Sequence, residues 1–279
     1  MATTACRPRL YLWEDRTLFI GPLKEILDIS TGASTLLIGL EKTIIFKTNA
    51  MHSPIACRCA LIPAGTTITI DTQNAAIANC TLDPLGEDFY KLSSLMLNRV
   101  DNIFYNIKNE NIYINALSHI GHNPKNTERI RKLLTQLLII QPSQKGLPPH
   151  EIDPRIKKII ILIQQTANLN LTLSELANQA NLSPSRLTEL FKKQTGLPLR
   201  RYRLWYRLYL TGIKIGQKKS ITEAAFEAGF NDSPHFNRTF RSMLGVTPSY
   251  VLSQSLQIIL PNKVRDKLKT YSSKPTLTN

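Results

Sequence analysis

Two sets of side chains in the second half of the chain combine hydrogen-bonding and cationic groups at helical spacing. One is Ser185, Arg186, Thr188, Glu189 and Lys192, followed by Lys193; the other is Ser233, His235, Asn237, Arg238 and Arg241, followed by Ser242. Positions three and four apart share one face of a helix, so each set makes a stripe of donors. These groups suit recognition of duplex DNA. Arginine reaches guanine O6 and N7 in bidentate fashion, asparagine reaches adenine, serine and threonine serve either, and lysine or arginine holds phosphate. Glu189 is the exception, because a phosphate contact there would favour a cation. A carboxylate accepts from cytosine N4, so Glu189 is expected either to read a base or to keep its helix from binding indiscriminately.

The elements that position these stripes are written twice. Leu173-Ser174-Glu175-Leu176-Ala177 returns 48 residues later as Ile221-Thr222-Glu223-Ala224-Ala225, and Leu187, Phe191 and Gly196 return 49 residues later as Phe236, Phe240 and Gly245. Each copy reads as a short helix, a turn and a longer helix, at about 173–194 and 221–243, the layout of a helix-turn-helix. In the first copy Asn181-Leu182 makes the turn, Ser183 caps the second helix and Pro184 takes its first position, where a missing N–H costs nothing. Leu187, Leu190 and Phe191 then face inward, and Gly196 stops the helix. In the second copy Ser220 and Glu223 have capping-box spacing. Gly229-Phe230 turns the chain, Asp232 or Ser233 caps ahead of Pro234, and Phe236 and Phe240 face inward. A linking helix over Leu199–Leu210 is predicted to hold the units at a fixed separation, which matters because successive major-groove faces lie roughly 34 Å apart.

The stretch from Asp153 to near Tyr250 resembles the DNA-binding domain of the AraC/XylS family of transcription regulators. Its most specific part is Ala225-x-x-x-Gly229-Phe230-x-x-x-x-x-Phe236-x-Arg238-x-Phe240-Arg241-x-x-x-Gly245-x-Thr247-Pro248. Tyr250 follows Pro248 one residue sooner than is usual in the family, Val251 replaces a common basic residue, and Thr211 replaces a usual alanine. The resemblance implies a mixed fold. An N-terminal β-rich, cupin-like barrel with helices, for effector binding and dimerisation, would occupy residues 1–141. A linker at 142–150, an all-α DNA-binding domain with two helix-turn-helix units at 151–252 and a tail at 253–279 would follow. It also implies promoter DNA as partner, RNA polymerase by analogy, a homodimer, and activation more often than repression. The competing resemblance is to DNA-repair methyl-acceptor proteins, which join an AraC-like region to a zinc site of four cysteines. This chain has Cys6, Cys57, Cys59 and Cys80, but structural zinc sites generally use close C-x2–4-C pairs, and these spacings do not match.

Charge divides as the motifs do. Residues 1–150 carry 15 Lys and Arg against 12 Asp and Glu, net +3, whereas 151–279 carry 20 against 8, net +12. A basic surface also serves solubility or membrane contact; joined to a doubled helix-turn-helix it points to nucleic acid. No run of 18 apolar residues and no apolar leader is present, so neither membrane insertion nor export is expected. Four cysteines in a chain of 279 residues are not a disulfide scaffold, and a reducing cytoplasm is the expected compartment.

The N-terminal part contains short β-branched runs at 35–40, 43–47, 59–63, 66–70 and 75–80, broken by turn residues, which predict a small antiparallel barrel or sandwich. Ile130, Leu133, Leu134, Leu137 and Leu138 form one stripe of a helix over 126–140, to be buried on its own barrel or across a dimer. Gln141–Pro149 reads as a linker. No enzyme chemistry and no cofactor are expected. A metal-binding cupin needs several histidines and a carboxylate, and only His52 lies near the β-rich stretch; His119 and His122 share a helical face without a third ligand. Cys57 and Cys59 are expected on the same side of one strand, as packing residues. A small apolar or carboxylate effector is expected in the β-rich part, with Lys24, Lys42, Lys47 or Arg58 as a carboxylate partner should one point inward. The competing reading is a barrel that only dimerises.

Overall fold

In the computed structural model the described residues are 7–23, 26–122, 126–138, 151–253 and 255–261. The proposed linker at 142–150, Cys6, Lys24 and most of the proposed tail lie outside them. The N-terminal part contains β1 (Arg9–Leu12), β2 (Thr17–Pro22), β3 (Leu27–Ser30), β4 (Thr35–Gly39), β5 (Ile44–Lys47), β6 (Ile55–Cys57), β7 (Cys59–Ile62), β8 (Thr67–Asp71) and β9 (Ala76–Thr81). Helix α1 (Asp88–Ser93), strands β10 (Met96–Val100) and β11 (Ile103–Ile107), and helices α2 (Glu110–His122) and α3 (Thr127–Leu138) follow. The C-terminal part is helical: α4 (Pro154–Thr166), α5 (Leu173–Gln179), α6 (Pro184–Thr195), α7 (Leu199–Gly216), α8 (Ile221–Glu227), α9 (Ser233–Leu244) and α10 (Pro248–Ser253). A last strand, β12 (Gln257–Ile259), closes the described chain.

The strands form two sheets, one ordered β10-β11-β7-β4-β9-β2-β1-β12 and one ordered β3-β8-β5-β6. Side chains alternate across a strand, and here both faces of the larger sheet are covered, which explains its near-continuous apolar runs. Leu37, Ala60, Ile62, Ile77 and Ile103 meet Phe46, Ile68 and Ile70 of the smaller sheet. The alternate residues Leu36, Ile38, Cys59, Leu61 and Cys80 face outward against Tyr113, Leu117, Ile130, Leu134 and Leu138 of α2 and α3. The α3 stripe is therefore spent largely on its own sheet, with Leu133 and Leu137 half-buried at its margin.

The five predicted β runs correspond to β4, β5, β7, β8 and β9, whereas β1 to β3, β6, β10 and β11 were not anticipated. One expectation is corrected outright. Cys57 ends β6 in the smaller sheet and Cys59 begins β7 in the larger one, so their side chains lie in different cores. The chain turns between sheets at Arg58, whose guanidinium donates to the carbonyls of Gly39 (2.9 Å) and Leu40 (2.8 Å). The alternation argument fails because no single strand runs through the three residues.

The stretch expected as a tail contains β12, which pairs in parallel with β1 at the sheet edge, Leu10 opposite Ile258. The chain thus crosses back to the N-terminal sheet after the second helix pair. Ile258 and Leu260 pack with Leu12, Tyr209 and Ile213, tying α7 to the same edge.

Candidate nucleic-acid interface

Each stripe sits on a helix whose start and stop are built from its own sequence. The α6 helix begins with the Ser183 hydroxyl accepting from the Arg186 N–H (3.3 Å), and α9 begins with the Asp232 carboxylate accepting from the His235 N–H (2.6 Å). Such caps are worth about 1 kcal/mol each. Asp232, not Ser233, is the cap, so Ser233 is the first helical residue. Both helices stop on a left-handed glycine, Gly196 at φ 75° and Gly245 at φ 77°, whose N–H groups return to Lys192 and Arg241 carbonyls. The turns match as well: Asn181 (φ 52°) and Gly229 (φ 98°) adopt the left-handed conformation at equivalent positions.

The predicted capping box is only half-formed in the second copy. Ser220 accepts from the Glu223 N–H (3.2 Å), but the Glu223 carboxylate lies beside Lys219 (3.3 Å). The complete box is in the first copy, where the Thr172 hydroxyl accepts from the Glu175 N–H (3.2 Å) and the Glu175 carboxylate accepts from the Thr172 N–H (2.6 Å).

Leu187, Leu190 and Phe191 of α6 are buried against Leu176 and Ala177 of α5 and against Ile156, Ile159, Ile160 and Ile163 of α4. The α4 contribution was not anticipated, although its apolar residues recur at i, i+3, i+4 and i+7 behind Asp153 and Pro154. In the second unit Phe236 and Met243 pack on Ala225, Phe230 and Leu208, while Phe240 is only half-buried. Helix α7 enters both cores, with Tyr202 in the first and Leu208 in the second. It also grips the loop between α4 and α5. Arg207, 7% exposed, donates to the Ala167 carbonyl and to Asn170 (both 2.8 Å), and Arg203 donates to the Leu171 carbonyl (2.7 Å). A Cβ added at Gly229 would lie 2.9 Å from both the Ala167 oxygen and Arg207 Nε, so the turn of the second unit rests on the same loop.

With the cores filled, Ser185, Arg186, Thr188, Glu189 and Lys192 are exposed on α6, and Ser233, Asn237, Arg238 and Arg241 on α9. His235 is half-buried, its ring edge-on to Phe230 at 5.6 Å. Arg186 and Glu189 form an exposed ion pair at 2.9 Å. The far ends of both helices rest on the β-rich part: a Cβ at Gly65 would meet the Gly196 carbonyl at 2.6 Å, and one at Gly245 would meet Leu27 at 2.8 Å.

Between the two parts lies an apolar cavity of about 190 Å³, walled by Phe19, Leu37 and Ile77 of the larger sheet and by Phe240, Met243 and Leu244 of α9. It is not the interior of a closed barrel, and its described lining holds no charged side chain. Of the four cations expected as carboxylate partners Lys24 lies outside the described residues, and the other three are placed away from this cavity. Lys42 donates to the Gln73 carbonyl (3.2 Å), Arg58 is held at the sheet corner and Lys47 is exposed. His52 and His119 are exposed. Burial pushes the Cys57 and Cys80 thiols up to about 12.

A family profile described as a helix-turn-helix domain matches residues 176–254. The chain is 29% identical over 140 residues to the uncharacterized HTH-type transcriptional regulator YpdC of Escherichia coli K12, covering 48% of this chain and 49% of YpdC. It is 33% identical over 96 residues to the Tn10 TetD protein of Escherichia coli, covering 34% of this chain and 70% of TetD. The matched region thus spans about half the length of YpdC. Among solved structures, unsaturated fatty acid bound ToxT from Vibrio cholerae superposes with a TM-score of 0.58 at 13% identity, covering 86% of this chain and 96% of ToxT. At that identity the likeness is one of fold. Among the described residues no helix is long and apolar enough to cross a membrane.

Proposed function

Because this chain belongs to the AraC/XylS family of DNA-binding transcription regulators, we propose that it is a sequence-specific, cytoplasmic regulator that activates transcription from promoters it binds through α6 and α9. The observation that carries this reading is the pair of exposed donor stripes on two equivalent helices mounted on one linker helix. In this reading Ser185, Arg186, Thr188, Glu189 and Lys192 face one major-groove segment, and Ser233, His235, Asn237, Arg238 and Arg241 face the next. It is a binding protein, not an enzyme, and RNA polymerase is its partner by family analogy.

Residues 1–141 are the regulatory part in this proposal, 142–150 the linker and 151–252 the DNA-binding domain. The apolar cavity between the parts is the effector site, and its wall chemistry suits a small, largely apolar molecule; the fatty acid bound to ToxT supports that class. A ligand there touches α9 directly, so its occupancy bears on the helix that reads DNA. Homodimerisation is the other role proposed for the N-terminal part. Gel shifts of the full chain on genomic fragments, with and without long-chain fatty acids, test the proposal. Retention of particular fragments against excess competitor DNA, altered by the lipid, is the expected outcome; uniform retention of all fragments contradicts it.

A further inference from the structure

A second cleft, of about 110 Å³, opens between the two parts and differs in chemistry from the apolar cavity. It is rich in aromatic rings, and both tryptophans of the chain, Trp13 and Trp205, line it with Tyr206 and Tyr209. Three carboxylates, Glu14, Asp15 and Asp83, line it with Arg16, in a protein whose net charge is +15, and Asp15 is also paired with Arg131 at 3.1 Å. Arg16 is already engaged, donating to Asp88 at 2.7 Å and lying 3.4 Å from Asp15. Among the described residues the Asp83 carboxylate accepts only the Leu85 N–H (2.8 Å) and has no salt bridge; burial pushes it above the usual range.

Two donors in the same walls are also unsatisfied. Trp13 is 1% exposed and its indole N–H has no hydrogen-bond partner among the described residues; neither has the buried Tyr209 hydroxyl. Burial, with Tyr206, Glu14 and Asp15 nearby, keeps that hydroxyl protonated. Buried donors without partners are rare and costly, and an unpaired carboxylate in a half-buried aromatic setting calls for a cation, which the ring faces also attract.

We propose that this cleft binds a small organic cation that also bears a hydrogen-bond acceptor, its ammonium or guanidinium group at Asp83 and its acceptor on the Trp13 N–H and the Tyr209 hydroxyl. The walls come from both parts of the chain, so the ligand bridges the regulatory part and the linker helix beside the apolar cavity, with which the cleft shares Thr17, Thr81, Trp205 and Tyr209.

The two tryptophans supply the test in the full-length protein: both line the cleft, and because Trp205 lines the apolar cavity as well, an uncharged isostere controls for apolar binding. Choline and L-argininamide are titrated at constant ionic strength beside 3,3-dimethylbutanol, the uncharged isostere of choline. A saturable emission change with at least one cation and none with the isostere is expected. Asp83→Asn should weaken that response at least tenfold while leaving circular dichroism and cation-free gel shifts unchanged, and Tyr209→Phe, which removes the proposed hydroxyl donor, serves the same purpose should the first variant fold poorly. No saturable change with either cation, an equal response to the isostere, or full affinity in the folded variants would overturn the proposal.

Discussion

The stripe on α9 carries the sharpest expectations at the level of single residues. Arg238 is exposed between Asn237 and Arg241, so Arg238→Ala should cost about 1–3 kcal/mol of binding and flatten preference at one base pair. A uniform loss across sequences, with the salt slope reduced by about one, would move Arg238 to a phosphate. Binding unchanged in the variant contradicts this docking altogether. On α6 the Arg186–Glu189 pair alters the reading of Glu189. Exposed pairs of this kind are worth at most about 1 kcal/mol, so DNA can compete for the guanidinium. Glu189→Gln should therefore raise affinity for non-specific DNA and steepen the salt slope; lower affinity confined to one base pair would show instead that Glu189 reads a base. The outward residues were legible because helical periodicity and caps are local. The split of Cys57 from Cys59 was not, since it depends on Arg58 bonding to carbonyls of a distant strand.

Among elements, α7 sets the spacing of the two units through packing and through Arg207. Removing that guanidinium strands buried carbonyls, so Arg207→Met should cost about 1–3 kcal/mol in thermal or chemical unfolding. Arg207→Lys should not restore the loss, because an ammonium lacks the planar fork that reaches Ala167 and Asn170 together. Full stability in the lysine variant would contradict this role. The helix pairs themselves were readable from caps and repeat spacing. Helix α4 carries an equally plain pattern, Ile156, Ile159, Ile160 and Ile163. At the 48-residue spacing of the repeat Ile156 and Ile160 fall on Leu204 and Leu208 of α7, which pack in the second core, but Arg207 and Thr211 stand in place of Ile159 and Ile163 and hide the repeat. Strand β12 is three residues long and takes its meaning only from β1, at the other end of the sequence; nothing local marks it.

For the whole molecule, the contacts of α9 and β12 with the N-terminal sheets mean that the halves are not independent. A fragment of residues 151–252 retains both units and α7, and should fold and prefer particular sequences, with affinity reduced by loss of the N-terminal half. A fragment folded by circular dichroism but without sequence preference would count against a self-sufficient DNA-binding domain. In the intact chain, a fatty acid at about 100 times its dissociation constant should stabilise the protein by about 2.7 kcal/mol, visible as a shift in melting. If neither lipids nor aromatic acids shift it while crosslinking traps a dimer, the N-terminal part is a dimerisation module alone. In the proposed docking α6 and α9 read adjacent major-groove faces. Hydroxyl-radical footprinting on a retained promoter fragment tests it most directly. Two protected segments about one helical turn, roughly 10 bp, apart are expected, with Arg186→Ala weakening protection at one and Arg238→Ala at the other. Protection without sequence preference, or a single segment that both variants affect alike, would contradict it.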